Sequence, residues 1–485
     1  MIYDKQYYLD TFNVTAGQLD NLISLALGGG GTYADLFFEN TTSSELMLRD
    51  GKVASGGFNV DYGVGIRTLL GEKTGYAYSE STDPASMRAA AVSASAIGGA
   101  KKAHAGSIAD ENGYVPRLYR GKPNPAADRY PVVKGWNDSR LDALSSVLYA
   151  IDEKLRTDAG EKLVKVMAVL SWQMSDILIY NSFEELKYET RPMGTIAVSA
   201  ILSDGKTVLN SNASRSFRQG AEMLSGSIVN DLCGDILRNL GDKFAAGRPK
   251  GGKMPVVMGA GASGILLHEA MGHAFEADFV RKGQSIFEGR LGQKICSEDI
   301  TIVDDGTVRF NRGSLNFDDE GVPAQRTVMV DRGVLTSFLH DRISARALGV
   351  QPTGNGRRES FRFAPLPRMR ATYMEGGSSM PGDIIASVKQ GIYVDEFSNG
   401  QVKIGEGDFT FYVKSGYLIE NGHLTAPIKD INIIGNGPKA LADIVAVGRD
   451  AKIDDGAWTC GKGQSAPVSC GIPTVLIKEL TVGGE

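Results

Sequence analysis

The chain has 485 residues, of which 42% are hydrophobic, and a formal net charge of −5. This length exceeds what one hydrophobic core usually supports, so we expect two domains or three. The small negative charge argues against a nucleic-acid-binding protein, and the lack of a long apolar run argues against a helix that spans a membrane. The first residues do not resemble a signal peptide, and the four cysteines are sparse, so we expect a cytoplasmic protein.

The N-terminal part predicts helices and antiparallel strands. Leucines and an isoleucine at helical spacing predict a helix over residues 17–28. Asp83 followed by Pro84 predicts the start of a second helix, which runs to about residue 97. Between these helices, short apolar segments separated by turn residues predict hairpin strands at 34–38, 45–48, 63–70 and 75–78.

The middle of the chain begins with residues 105–136, which contain four prolines and which we interpret as a loop. Leucines and an isoleucine at spacings of three and four then predict a helix over residues 141–155. An amphipathic helix is predicted over residues 224–240, and the glycine- and charge-rich stretch 247–253 after it is the best domain boundary. Between the two helices, strands are predicted at 165–171, 177–180 and 194–202.

The part after the boundary is mostly short strands separated by glycines. They are predicted at 301–303, 327–330, 392–395, 409–413 and 472–477. We therefore predict an α+β protein whose N-terminal domain, residues 1–246, consists of antiparallel sheets with helices. This domain could divide into lobes at about 1–104 and 130–246. The C-terminal domain, residues 254–485, is predicted to be β-rich and to carry a helix with a metal-binding motif.

That motif is His268-Glu269-Ala270-Met271-Gly272-His273. Neutral imidazoles bind Zn²⁺, and a carboxylate beside them can take the proton from a metal-bound water. Only five histidines occur in the chain, and two lie here after the apolar residues Ile265-Leu266-Leu267. Because buried polar groups are costly without partners, we predict that His268 and His273 bind zinc and that Glu269 is the general base.

The spacing of the two histidines is unusual, because His273 is five positions after His268 instead of the common four. On a regular α-helix the two rings would point about 140° apart and could not share one ion. A π-type bulge would realign residues that are five apart, and such bulges occur at functional sites. The alternatives are therefore an accidental match or a bulged helix, and Gly272, which offers the least steric resistance to a distorted backbone, favours the predicted bulge.

A catalytic zinc usually has three protein ligands, so one more ligand is expected. Glu276 and Asp278 follow the motif closely and are candidates by residue type. Cys460 is a third candidate, because it lies in a glycine-bounded loop where Lys462 would favour the thiolate. The other cysteines, Cys233, Cys296 and Cys470, fit simple packing.

A second motif supports a different class of protein. Residues 259–264 read Gly-Ala-Gly-Ala-Ser-Gly after an apolar strand, which matches the fingerprint of a Rossmann-type dinucleotide-dependent oxidoreductase. No buried strand follows Phe279, however, so the required second parallel strand is missing. The alternative is a glycine-rich turn whose amides, including that of Gly261, bind a peptide backbone. A non-catalytic scaffold would leave the histidines unexplained.

The sequence resembles the TldD branch of the TldD/PmbA (TldE) family over nearly its whole length. Besides the histidine motif, the residues that carry the resemblance are at 354–360, 417–422, 459–462 and 480–484. The resemblance implies a zinc metallopeptidase in which His268, His273 and Cys460 bind one Zn²⁺ and Glu269 is the base. The loop after Cys460, residues 461–465, is one residue shorter than the form typical of the family.

The resemblance also implies partners. It implies a dimer, with a PmbA/TldE-type sister chain that lacks the histidine motif or with a second copy of this chain. The two chains would enclose a cavity that admits unfolded peptides. Roles in the family include trimming a peptide-antibiotic precursor and degrading an unfolded antitoxin.

Two imidazoles and one thiolate would leave a net charge near +1 on a zinc centre, which makes the metal a weaker Lewis acid than three histidines would and makes Glu269 more important. The developing oxyanion needs a further stabilising group. By chemistry, the candidates are Arg357, Arg358, His340 and Tyr373. Equally, the two arginines could pair with acids in a structural network. An extended substrate would pair its backbone with a strand edge.

Overall fold

The computed structural model of the protein describes residues 3–98, 128–261, 263–403 and 406–484. Most of the predicted loop at 105–136 therefore lies outside the described residues. Within the described ranges, no helix has the length and apolar character needed to cross a membrane.

The N-terminal part contains one six-stranded antiparallel sheet with the strand order β3-β2-β1-β4-β5-β6. Strands from both predicted lobes join this sheet, because β1 pairs with β4 along most of its length. The strands are β1 Tyr33–Arg49, β2 Lys52–Leu70, β3 Lys73–Ser79, β4 Leu163–Asn181, β5 Leu186–Ser203 and β6 Val208–Phe217.

Several strands are longer than predicted. β1 joins the predicted segments 34–38 and 45–48, and β4 joins 165–171 and 177–180. The polar residues 40–44 continue β1 because they pair with β2 on one side and with β4 on the other, which satisfies their backbone groups. The edge strand β6 has no predicted counterpart, since its sequence is rich in serine and asparagine.

Among the described residues of this part, six α-helices cover the sheet and form two separate hydrophobic cores with it. The predicted helices at 17–28 and from Pro84 are confirmed. The predicted helix at 224–240 is wrong in one respect, because it ends at Leu237 and Asn239 has a left-handed backbone with φ 51°. The helices are α1 Lys5–Thr11, α2 Ala16–Leu27, α3 Pro84–Ser95, α4 Leu141–Ala159, α5 Gly226–Leu237 and α6 Leu240–Ala245.

The C-terminal part is β-rich, and the α+β prediction is confirmed. Its helices are short: α7 Gly264–Ala270, α8 Ala277–Arg281, α9 Arg342–Leu348, α10 Pro381–Ala386 and α11 Gly437–Ala442. Its strands are β7 Gly252–Met258, β8 Ile302–Asp305, β9 Arg326–Asp331, β10 Val334–Leu335, β11 Gly356–Arg357, β12 Leu366–Pro367, β13 Ala371–Met374, β14 Gln390–Lys403, β15 Asp408–Glu420, β16 His423–Ile428, β17 Ile431–Asn436, β18 Ile444–Val447, β19 Lys452–Ile453, β20 Thr459–Cys460, β21 Ala466–Pro467, β22 Ser469–Ile472 and β23 Val475–Gly483.

Two sheets dominate this part. In one of them, β14, β7, β23, β17 and β15 pair in that order, and β15 pairs back to β14, so these strands close into a ring. The other is a mixed sheet with the order β10-β9-β8-β13-β22-β19. The predicted strand at 472–477 is wrong as a single strand. It divides at Pro473, which has no backbone N–H to donate, into β22 of the mixed sheet and β23 of the ring.

The two parts of the molecule meet in a buried ionic layer. Arg191 of β5 binds Asp319 at 2.5 Å, and Arg67 of β2 binds Glu320 at 2.7 Å. These side chains are almost completely buried, so each charge depends on its partner across the contact. Contacts of this kind fix the N-terminal sheet relative to the β-rich part. The domain boundary near residue 250 stays a prediction.

Candidate active site

Helix α7 carries the first half of the histidine motif and lies between the two C-terminal sheets. It contacts β14 and β15 of the ring on one side and β13 and β22 of the mixed sheet on the other. Its Leu266 and Leu267 are buried in the main hydrophobic core of this part. The following turn of the helix therefore places His268 in the interior, where its side chain is 2% exposed.

The two histidine rings meet because the helix ends between them. α7 ends at Ala270, Met271 has the non-helical dihedral angles φ −132° and ψ −42°, and residues 272–275 form a 3₁₀ turn. The predicted π-type bulge is therefore wrong. The centroids of the His268 and His273 rings are 5.0 Å apart, with their planes nearly perpendicular.

Gly272 is required for packing at this break. A Cβ atom at this position would lie 2.4 Å from Sδ of Met369 and 3.3 Å from the carbonyl oxygen of Leu267. The distorted backbone belongs to Met271, so Gly272 is needed for the close approach of a neighbouring side chain.

Cys460 completes the cluster. It ends strand β20, which forms a small hairpin with β21 through the loop 461–465. Its Sγ lies 3.4 Å from Nε2 of His273, and the potential ligand atoms of His268, His273 and Cys460 all lie within 4.8 Å of one another. The imidazole and thiolate ligands of a tetrahedral zinc lie about 3.5 Å apart. Both ring nitrogens of His268 are buried without a hydrogen-bond partner, so a metal fits this donor set.

The charges of the cluster favour a thiolate. Burial alone would raise the pKa of Cys460, but His268 and His273 lower it to about 4. Burial alone would lower the pKa of His273, but Glu276 and Cys460 raise it to about 10. In the metal-free protein, a thiolate therefore faces an imidazolium, and a metal ion would replace the proton between them.

Glu269 lies beside the cluster on its accessible side. Its Oε2 is 3.9 Å from Nε2 of His273, and its side chain is 27% exposed, more than those of the three clustered residues. A carboxylate in this position can reach a water molecule beside the metal-facing nitrogens.

Glu276 and Asp278, the alternative candidates for the third ligand, have other partners. Glu276 is fully buried, and its Oε2 lies 2.8 Å from Nδ1 of His273, on the side of the ring opposite Cys460. Nζ of Lys462 binds Glu276 at 2.9 Å and Asp278 at 2.8 Å. The expectation that Lys462 favours the thiolate is therefore wrong, because the lysine neutralises these two carboxylates.

Models of known families match most of the chain. The model described as the PmbA/TldA metallopeptidase C-terminal domain matches residues 251–484, and domain 1 of the same family matches residues 34–98. A metalloprotease TldD homolog of Haemophilus influenzae is 36% identical over 97% of this chain and 97% of its own length. The chain belongs to the TldD/PmbA family of metallopeptidases.

Two further proteins are similar to part of the chain or to its fold. A zinc metalloprotease TldD homolog of Saccharolobus solfataricus is 33% identical, in an alignment that covers 53% of this chain and 57% of the relative. The solved structure of TldE from Thermococcus kodakarensis superimposes with a TM-score of 0.74, at 18% identity, and covers 96% of this chain and 100% of that one. At this identity, the structural match concerns the fold alone.

Three arginines bind backbone carbonyl oxygens of the segment 458–467, which contains Cys460. Their contacts are structural features that the family motifs do not indicate. Arg368 donates to the carbonyl oxygens of Cys460 at 2.7 Å and Gln464 at 2.6 Å. Arg312 donates to the carbonyl oxygen of Trp458 at 2.9 Å. Arg357 donates to the carbonyl oxygens of Pro467 and Met369, both at 2.7 Å. For Arg312 and Arg368, no local sequence pattern indicates this role, because the contacts span more than ninety residues.

The other oxyanion candidates are dispersed. Arg358 stacks on Phe37 and lies 3.4 Å from Asp35, within the buried ionic layer. The hydroxyl of Tyr373 is 3.5 Å from Oδ2 of Asp305. His340 is buried, and burial lowers its pKa to about 4. A contribution of any of these residues to an oxyanion site stays a prediction.

The glycine-rich loop of this TldD/PmbA family member does not belong to a Rossmann unit. β7 before the loop pairs in parallel with β14, which lies more than 130 residues later, and antiparallel with β23. A Cβ atom on Gly264 would lie 2.4 Å from the backbone nitrogen of Gly471, and one on Gly259 would lie 2.5 Å from the Tyr393 hydroxyl. Gly264 lets α7 pack closely on β22, and Gly259 lies against Tyr393 of β14. The pairings of β7 do not form the βαβ unit that the Rossmann alternative requires.

A cleft of about 1020 Å³ lies between the N-terminal sheet and the β-rich part. One wall is formed by β5 and the edge strand β6, and the opposite wall by residues of β14 and β15. Gly261, with φ +90°, and Trp458 line the same cleft. Trp458 is two residues before Cys460 in the chain, whereas His268, Glu269, His273 and Cys460 themselves do not line the cleft.

Proposed function

We propose that this protein is a zinc-dependent peptidase. The observation that carries this proposal is the buried cluster of His268, His273 and Cys460, with the carboxylate of Glu269 3.9 Å from Nε2 of His273. The donor set of two imidazoles and one thiolate suits Zn²⁺ and leaves a coordination position for water or substrate. Membership of a metallopeptidase family supports the same reaction class.

When bound, zinc would polarise the peptide carbonyl and make the attacking water more acidic. Glu269 accepts the proton of that water and can deliver it to the leaving amine. The metal would be held by His268, His273 and Cys460. The buried surroundings of His268 and His273 exclude bulk water. Gly261 lines the cleft, but its backbone N–H donates to the carbonyl oxygen of Ile472 at 2.9 Å, so this amide is not free to bind substrate backbone.

We propose that the substrate is an extended, unfolded peptide. The cleft of about 1020 Å³ is lined by β6, which is the edge strand of its sheet. An edge strand can bind a peptide through backbone hydrogen bonds, which suits many sequences. We further propose that the protein acts as a dimer, with a PmbA/TldE-type sister chain or with itself, and that the dimer restricts access to unfolded chains.

The role of Glu269 is tested by the variant Glu269→Gln. Zinc content, measured by elemental analysis, should stay at one per chain, because Glu269 is not in the ligand cluster. Cleavage of an unstructured fluorogenic peptide should fall by at least about 100-fold, the usual contribution of a general base. Turnover equal to that of the wild type, at full zinc content, would disprove the assignment.

The proposed restriction to unfolded substrates has its own test. A small protein and its reduced, carboxymethylated, unfolded form should be incubated with the zinc-loaded enzyme, and the initial cleavage rates should be compared. We expect cleavage of the unfolded form only. Equal rates on both forms would show an open site and would contradict enclosure.

A further inference from the structure

A chain of buried polar contacts connects the loop of Cys460 to His273. Nζ of Lys462 lies 2.9 Å from Oε2 of Glu276, and the same oxygen lies 2.8 Å from Nδ1 of His273. The other oxygen of Glu276 accepts the backbone N–H of Met369 at 3.2 Å. Glu276 is 0% exposed, so its charge is neutralised by these partners and not by water.

These contacts determine which nitrogen of His273 can bind a metal. Because the carboxylate of Glu276 accepts a hydrogen bond from Nδ1–H, Nε2 is left facing Sγ of Cys460 at 3.4 Å. A carboxylate on the outer nitrogen fixes the orientation of a ligating histidine and makes it a better donor. Burial alone would raise the pKa of Glu276, but Lys462 and His273 hold it well below its usual range, so the group is a carboxylate.

Lys462 links the two halves of the cluster. It lies two residues after Cys460. His273 belongs to the 3₁₀ turn 272–275, and Glu276 directly follows that turn. The ammonium group also binds Asp278 at 2.8 Å and the carbonyl oxygen of Pro367 at 3.0 Å. The ion pair therefore fastens the Cys460 loop to the His273 turn at a point that needs no metal.

We propose that Glu276 and Lys462 are positioning residues that preorganise the zinc ligands His273 and Cys460 and slow the release of the metal. This inference rests on the proposed zinc function, because it assigns residues that act on the same ion. Lys462 acts through Glu276, which in turn orients His273. Asp278 shares the lysine but does not touch a ligand, so it provides a matched buried control.

The test measures zinc release from the full-length protein into an excess of a colorimetric chelator. Glu276→Gln and Lys462→Met should each release zinc about 10- to 100-fold faster than the wild type, the usual effect of losing such a partner of a ligand. Asp278→Asn should stay within about threefold of the wild type, because the contact between Glu276 and His273 survives. Cobalt-substituted Glu276→Gln should also show shifted ligand-field bands.

The double variant separates positioning from general destabilisation. If Lys462 acts through Glu276, Lys462→Met should add little to the release rate in the Glu276→Gln background. The double variant removes the Glu276–Lys462 charge pair together, while Asp278 loses its ion pair with the lysine as it does in Lys462→Met alone. Wild-type release rates in both single variants, or fully additive effects in the double variant, would overturn the inference. A wild-type protein that binds no zinc would instead refute the proposed function.

Discussion

At the scale of single residues, two cysteines near the end of the chain have opposite environments. Cys460 faces two histidines, which lower its pKa to about 4. Cys470 lies in strand β22, and burial raises the pKa of its thiol well above the usual value. The first is therefore a thiolate that can bind metal, and the second is a small packed side chain.

This contrast predicts different results for two matched variants. Cys460→Ala should lose most of its zinc and its peptidase activity, since two histidines hold zinc much less well than three ligands do. Cys470→Ala should keep both and lose only about 1–2 kcal/mol of stability. Elemental analysis and thermal unfolding measure both effects. Full zinc content in Cys460→Ala would show that another group is the third ligand.

The protonation of His273 predicts how zinc binding depends on pH. In the metal-free protein, His273 has a pKa of about 10 and Cys460 one of about 4, so at pH 7 the metal must displace one proton, that of His273. Between these two values, the apparent zinc affinity should rise about tenfold per pH unit. Calorimetric titrations in buffers of different ionisation enthalpy would count the protons. Zinc binding without proton release would contradict this charge distribution.

At the scale of elements, the sequence indicates local structure better than contacts between distant segments. Helix α3 begins where Asp83 and Pro84 predict, because the side chain of Asp83 accepts backbone N–H groups of the first turn. The side chain of Thr15 caps α2 in the same way. Residue types alone suggest His268, His273 and Glu269. The way in which the rings meet is not predictable from residue types, because it depends on the end of the helix at Ala270 and on the non-helical backbone of Met271. Met369 packs against Gly272 at the same break.

That packing gives an element-scale prediction. Gly272→Ala would place a Cβ atom 2.4 Å from Sδ of Met369, so the side chain or the turn must move. We expect a loss of about 1–3 kcal/mol of stability, typical of overpacking, together with weaker zinc binding.

The control is Gly234→Ala in the middle of α5, where a Cβ atom meets nothing within 4 Å and helix propensity should stabilise the protein slightly. Thermal unfolding of the metal-free proteins would measure both changes. Equal stability of Gly272→Ala and the wild type would show that the turn tolerates a side chain.

At the scale of the whole molecule, the α+β class and the β-rich C-terminal part follow from strand and turn patterns. The closed ring of strands does not, because it depends on pairings such as that of β7 with β14. The buried ionic layer is indicated only in part: pairing of Arg358 with an acid in a structural network is one of the alternatives that the sequence leaves open, and Arg358 lies 3.4 Å from Asp35 in this layer. Asp319 and Glu320 are consecutive acidic residues, and both are buried against arginines of the N-terminal sheet. Long-range pairing therefore decides the features that local propensity leaves open.

Glu39 lies at the same junction and makes stability depend on pH. It belongs to β1, accepts a hydrogen bond from Thr41 at 2.7 Å, and accepts the backbone N–H of Phe361 at 2.8 Å across the junction. Burial raises its pKa from 4.5 to about 7. Between these values the folded protein keeps a proton that the unfolded chain has lost, so the contribution of Glu39 to stability falls as pH rises.

Glu39→Gln, which removes this titration, should therefore gain stability relative to the wild type as pH rises from 4.5 to 7. The gain should approach at most about 3 kcal/mol and stay constant above pH 7. Denaturant unfolding of the metal-free proteins at pH 5 and pH 8 would measure it. Glu153→Gln on the exposed side of α4 controls for the loss of one negative charge. The stability difference between Glu39→Gln and the wild type could also be the same at both pH values. That result would show that the pKa of Glu39 is not raised in the folded protein.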